Sequence, residues 1–252
     1  MRWQWAIILV VILAGADRAR AQAEPSLEVT DTAELTRNIE VLARRGDRAS
    51  VARIAARVEA GLPSPILLRA VDALAEHAAE PSYALLVRLA QHRRPAVRAR
   101  VARALGASRN AGARNVLADL LDDPDADVRA QAALALGAVG AQPVLETVLL
   151  AALHGVAEAA IVLGQQAAAA HVARIVRRLE PATLEALAPA LRILLERANV
   201  PRPSKSAIVE RLGTLGGGAE RLLREVQATL GPGDALRGSI DSALARLAEA
   251  TP

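Results

Sequence analysis

The stretch Arg93–Gly106 reads RRPAVRARVARALG, and thirty-one residues further on Pro124–Gly137 reads PDADVRAQAALALG. Aligned from Ala96 and Asp127, the two eleven-residue segments share seven identities: one Val, one Arg, three Ala, one Leu and one Gly. The first stretch alone holds five arginines in fourteen residues, which invites a reading as an anion-binding patch. The repetition changes that reading, because a residue that recurs with a repeat belongs to the repeat before it belongs to a ligand. Leu74, Leu105 and Leu136 keep the same spacing of thirty-one, and Leu163 follows at twenty-seven. Self-similarity at this period marks stacked units, none of which can bury its apolar face alone.

The unit is helical. Of 252 residues, 52% are hydrophobic, yet there is no Phe and no Cys; Trp3, Trp5 and Tyr83 are the whole aromatic complement. The apolar mass is therefore Ala, Leu, Val and Ile. Ala and Leu lead the helix scale, while aromatic residues, which favour strands, are nearly missing. Apolar-periodic runs broken by Gly, Pro, Ser or Asp predict fourteen helices, from Asp31–Arg45 to Leu236–Ala248. Pro65, Pro95, Pro143 and Pro181 sit where a first-turn proline belongs. Gly46, Gly61, Gly106, Gly137 and Gly164 read as left-handed residues that end helices. The short loops force antiparallel neighbours. The expected fold is all-α: an α-α superhelix, or solenoid of antiparallel pairs, over residues 24–200, with a helical C-terminal cap over 201–252. The seam between them is VPRPSKS, Val200–Ser206, beyond which the repeat pattern fades.

Residues 1–23 read as a signal peptide. Arg2 and the terminal amine precede the apolar run Ala6–Gly15, and Ala21-Gln22-Ala23 forms a small-x-small cleavage site before Glu24. A spanning helix needs about 20 apolar residues, and Asp17 and Arg18 close this run well short of that. The prediction is an exported chain, periplasmic or secreted, that meets a membrane only through its leader. The leader carries two of the four net positive charges, so the remainder has a net charge of only +2. That is no global nucleic-acid signature. The charge is uneven, however: no acid lies between Glu80 and Asp119, an interval with eight arginines.

DDPDADVRAQAALALG, Asp122–Gly137, resembles the HEAT-like repeat of the phycobilin-lyase type, whose second helix reads Asp-Pro-x-x-x-Val-Arg-x-x-Ala-x-x-Ala-Leu-Gly. The likeness is strong at Asp123–Gly137, good at Pro95–Gly106 and weaker at Ser64–His77 and Gly155–Gly164. The resemblance implies that the second helix of each pair lines a concave face. It also implies that Arg129 pairs with Asp123 in the preceding turn. The position that matches Asp123 in the repeat of Arg98 is His92, so Arg98 must find a backbone carbonyl or reach Asp123 or Asp127 in the next repeat. Arg98, Asp123 and Arg129 are thus expected to be structural, with Arg129→Ala costing roughly 1–3 kcal/mol by unpairing a buried carboxylate.

Catalytic constellations are scarce. Without cysteine, thiol chemistry and cysteine-ligated metals are excluded. No two of His77, His92, His154 and His171 stand at ligand spacing on one helix. Some HEAT-like proteins are di-iron hydroxylases built on repeated His-Glu dipeptides, and no His-Glu dipeptide occurs here. DDPDAD imitates a calcium loop, but Val128 and Leu134 stand where Gly and Glu are required. GTLGGGAE has phosphate-loop spacing at Gly213 and Gly218, followed by Ala219 and Glu220 instead of Lys and Ser/Thr. Single-strand binders stack bases on aromatic rings, and past the leader only Tyr83 could do so. No cofactor, metal or nucleic-acid partner is expected.

On a helical projection Val97, Val101 and Leu105 form the buried stripe of the opening stretch, Arg98 lies at its margin, and Arg93, Arg100 and Arg103 point outward. Moving by one repeat, Arg100 matches Arg69, Gln131 and Glu158, while Arg103 matches Asp72, Leu134 and Ile161. The inferred face runs from basic toward apolar, which suits docking of a protein with an acidic surface. Arg69, Arg93, Arg100, Arg103 and Leu134 are its candidate contacts. The expected function is a non-catalytic, protein-binding scaffold. The alternatives are a chromophore lyase or chaperone-like protein, as the resemblance allows, and a purely structural part of an envelope assembly.

Overall fold

The computed structural model describes residues 24–76 and 80–249, and every regular element among them is helical. The leader, and His77 at the end of the helix expected over Ser64–His77, lie outside the described residues. The helices are α1 (Thr32–Arg45), α2 (Arg48–Ala60), α3 (Ser64–Glu76), α4 (Glu80–Leu89), α5 (Pro95–Ala107), α6 (Ala113–Asp119) and α7 (Ala126–Val139), followed by α8 (Leu145–Leu153), α9 (Ala157–Gln166), α10 (Ala169–Arg177), α11 (Leu184–Glu196), α12 (Arg202–Leu212), α13 (Gly217–Thr229) and α14 (Leu236–Glu249). A helix stands at each of the fourteen expected places. Asp31, Asp47 and Asp125 cap α1, α2 and α7 by accepting N–H groups of the first turn. Pro95 opens α5 as expected, but Pro143 lies in a 3-10 turn before α8 and Pro181 in the turn before α11.

The chain divides between Ser82 and Tyr83 into two compact units. In the first, α1 packs on α2 and on α3. In the second, α5, α7, α9, α11 and α13 each touch the next and form one layer. The second layer holds α6, α8, α10, α12 and α14, tied across by the pairs α6–α7, α8–α9, α11–α12 and α13–α14. The leucine register is the core: Leu74 is buried in the first unit, and Leu105, Leu136 and Leu163 are buried in the second, beside Val97 and Val101.

The glycines of the repeat correct one expectation. Gly46 and Gly61 do end helices with positive φ, 63° and 103°. Gly106, Gly137 and Gly164 do not: they lie inside α5, α7 and α9 without a positive φ. Their role is close approach. A Cβ on Gly106 would stand 2.7 Å from Ala135 Cβ, and one on Gly164 would stand 2.8 Å from Ile193 Cβ. The Leu-Gly ending of the repeat thus buries its leucine and brings the next helix of the layer against its glycine. Among the described residues no helix is long and apolar enough to cross a membrane.

Candidate functional site

The opening arginines separate into distinct environments. Arg98, on α5, crosses to the next repeat and grips Asp123 with two parallel bonds, Nε to Oδ2 at 2.6 Å and Nη2 to Oδ1 at 2.7 Å. Its remaining nitrogen, Nη1, donates to the His92 carbonyl at 2.8 Å. Arg129, one repeat later, donates Nη1 to the equivalent carbonyl, that of Asp123, also at 2.8 Å, and to the Pro124 carbonyl at 3.0 Å. This corrects the expected pairing. The Asp123 carboxylate is occupied by Arg98 of the preceding repeat, and Arg129 closes the turn through main-chain oxygens. Burial alone would raise the Asp123 carboxyl, but the Arg98 hydrogen bonds, the Asp125 N–H and the charges of Arg98 and Arg129 together hold it below the usual carboxylate range.

The same use of arginine recurs along the second unit. Helix C-termini leave orphan carbonyls, and arginines from other turns and helices satisfy them. Arg114 donates to Gly140 O at 2.8 Å, Arg197 to Gly164 O at 2.7 Å, Arg211 to Leu179 O at 2.9 Å and Arg237 to Leu230 O at 2.9 Å. All four side chains are half-buried. Arg98, Arg114, Arg129, Arg197, Arg211 and Arg237 therefore serve as internal scaffolding. The signal was present in the sequence as spacings near one repeat, such as Arg197 to Gly164, but only packing shows which carbonyl each arginine meets.

Arg93 also departs from expectation. Arg94 has extended dihedrals (φ −89°, ψ 121°) and α5 starts only at Pro95, so Arg93 leaves the face of Arg100. It lines a cleft of about 350 Å³ with His92, Arg98, Asp119, Asp122 and Asp123. His92 is held there by accepting the Arg94 N–H on Nδ1 at 3.1 Å, which puts the proton of a neutral ring on Nε2. Burial, then the charges of Arg94 and Arg93, depress its pKa below the usual histidine range.

Arg69 sits on α3 in the first unit, where Nη2 meets Glu40 Oε1 at 2.8 Å in a small pocket that also contains Arg44, Asp72 and Glu76. It is part of a mixed-charge cluster there, rather than a lone cation. On the second unit, Arg103 is exposed and Arg100 half-buried on α5. In the same helical layer, Leu134 is 49% exposed on α7 and Ile161 is 38% exposed on α9. These two are the repeat equivalents of Arg103, and both stay in solvent while Leu136 and Leu163 on the same helices are buried. Ile161 joins the candidate contacts on this observation. Leu150, on α8 in the other layer, is also 38% exposed and was not anticipated.

Among the described residues no group of three or more His, Asp or Glu side chains is arranged to hold a metal ion. Residues 62–137 and 83–164, two overlapping stretches, match the HEAT repeats family. Among solved structures, human deoxyhypusine hydroxylase in complex with glycerol is 17% identical, with an alignment covering 95% of this chain and 98% of the hydroxylase at a TM-score of 0.42. An engineered protein is 15% identical over 88% of this chain and 92% of its own, at a TM-score of 0.28. Likenesses at these scores bear on neither activity nor ligand. No curated protein matches the chain.

Proposed function

We propose that this chain, whose residues 62–164 match the HEAT repeats family, is an exported, non-catalytic scaffold that holds a protein partner on the layer of α5, α7 and α9. The observation that carries the reading is the exposure of Leu134 and Ile161, 49% and 38%, at one repeat position of adjacent helices. Large apolar side chains kept in solvent by successive repeats are what a docking surface needs at its centre. Arg103 and Arg100 extend the same face from α5 and give it a basic end, which favours a partner with an acidic margin. The scarcity of catalytic groups supports binding over chemistry. The export part rests on the leader motif of residues 1–23.

The test is quantitative capture from cell envelopes with the wild-type chain, with Leu134→Glu/Ile161→Glu and with Arg100→Glu/Arg103→Glu. The proposal expects one set of proteins to be lost from the apolar double variant and weakened with the charge-reversed one. Retention of every captured protein by both variants would show that this face is not the site.

A further inference from the structure

Residues 24–28 are neither helix nor strand, yet side chains of α1 and α2 hold several of their polar atoms. Glu24 is bound on both carboxylate oxygens, by Arg45 Nη1 at 3.0 Å and Arg53 Nη1 at 2.8 Å. The next three carbonyls alternate between helices. Pro25 O accepts from Arg53 Nη2 on α2, Ser26 O from Asn38 Nδ2 on α1 at 2.8 Å, and Leu27 O from Arg57 Nε on α2 at 3.1 Å. The Leu27 side chain is buried.

This pattern has a geometric cause. Residues four apart on a helix are about 6 Å apart along its axis. Alternate residues of an extended chain are about 6.6 Å apart. Arg53 and Arg57 are therefore spaced to take every second carbonyl of a chain lying along α2, while α1 takes the carbonyl between them. Donors aimed at carbonyls read a main chain whatever its sequence. Among the described residues of the segment, the side chains held are the Glu24 carboxylate, by Arg45 and Arg53, and the buried Leu27 three residues later. The segment also leaves room: about 250 Å³ stays open beside it, lined by Ser26, Leu27, Glu28, Arg53, Ala56 and Arg57 among others.

We propose that the groove between α1 and α2 is a peptide-binding site, filled in cis by Glu24–Leu27, that takes a non-helical segment of the form Glu-x-x-Leu from a protein partner when the internal segment is displaced. The site is separate from the face of α5, α7 and α9, and either can fail without the other. The internal segment, tethered to α1 by four residues, acts at high effective concentration and keeps the groove closed to weak ligands.

The probe is the labelled peptide acetyl-Glu-Pro-Ser-Leu-Glu-Val-Thr-amide, read by fluorescence anisotropy. In the full chain, Glu24→Lys with Leu27→Asp should expel the internal segment and raise peptide affinity at least tenfold over wild type. Adding Arg53→Ala and Arg57→Ala should abolish binding, as should replacing the leucine of the peptide with aspartate. A folded Glu24→Lys/Leu27→Asp chain that binds no peptide at millimolar concentration, or binds it equally without the two arginines, overturns the proposal. Should that variant not fold by circular dichroism, hydrogen exchange of the wild-type chain decides. Millimolar peptide should speed exchange of the Leu27 and Glu28 amides, and unchanged rates overturn the proposal.

Discussion

Arg98 and Asp123 belong to successive repeats and are joined by two parallel hydrogen bonds of 2.6 and 2.7 Å. Their side chains are 13% and 5% exposed, so this is a buried pair rather than a surface one. Asp123 Oδ1 also accepts the Asp125 N–H at 2.9 Å, and Asp125 in turn caps α7. One carboxylate thus fixes the crossing between repeats and shapes the turn that starts the next helix.

Removing one partner of a buried pair leaves the other charge uncompensated, at about 3 kcal/mol or more. Arg98→Ala should therefore cost about 3 kcal/mol in urea unfolding. Arg129→Ala, which loses bonds to two carbonyls near solvent, should cost only about 1 kcal/mol. The order of the two is the test; an equal or larger loss for Arg129→Ala would return the carboxylate to Arg129.

Acid should act in two stages. The folded chain holds His92 below its unfolded value of about 6.5. The unfolded state then binds the extra proton first, so this contribution is complete above about pH 6.5 and is lost as pH falls toward the folded pKa. Asp123, also depressed, contributes fully above its unfolded value of about 3.9 and loses that contribution as pH falls through its lower folded pKa. Melting temperatures should drop between pH 7 and 5, and again below about pH 4. His92→Asn keeps an acceptor for the Arg94 N–H and should flatten only the first stage. A variant that loses stability in parallel with wild type from pH 7 to 5 would clear His92 of that role.

Glycine to alanine should act oppositely at two kinds of helical site. At Gly106 the new Cβ meets Ala135 Cβ at 2.7 Å and Cα at 2.8 Å, and backbone cannot swing aside. Overpacking of about 1–3 kcal/mol should outweigh the helix-propensity gain. At Gly238, in α14, nothing lies within 4 Å, and alanine should stabilise by up to about 1 kcal/mol. Thermal melts of both variants check this; a stabilised Gly106→Ala chain would remove the close-approach reading.

The helices were legible because their cause is local. Asp125 before an apolar run and Pro95 at a first turn act within a few residues, and the leucine spacing fixes which face is buried. The glycine of the Leu-Gly ending misled because a helix end and a close helix crossing call for the same residue. Only the continuation of α5 to Ala107, and of α9 to Gln166, separates the two. The partner of Asp123 was legible only as a set of choices. Arg98 and Arg129 both lie within reach along the sequence, and the crossing of α5 over α7 decides between them. Leu134 followed from the repeat alone, since its position matches that of an outward arginine, whereas Arg93 failed because the helix starts two residues too late to carry it.

The most direct test of the binding face is site-specific photocrosslinking from residue 161 in cells that make the chain, with residue 245 on α14 as the control. Ile161 lies in the α5–α7–α9 layer and Ala245 is exposed in the other. A docking face on this layer predicts a discrete crosslinked protein from residue 161, absent from residue 245 and suppressed by Leu134→Glu. No product from residue 161, or the same products from both positions, would contradict it.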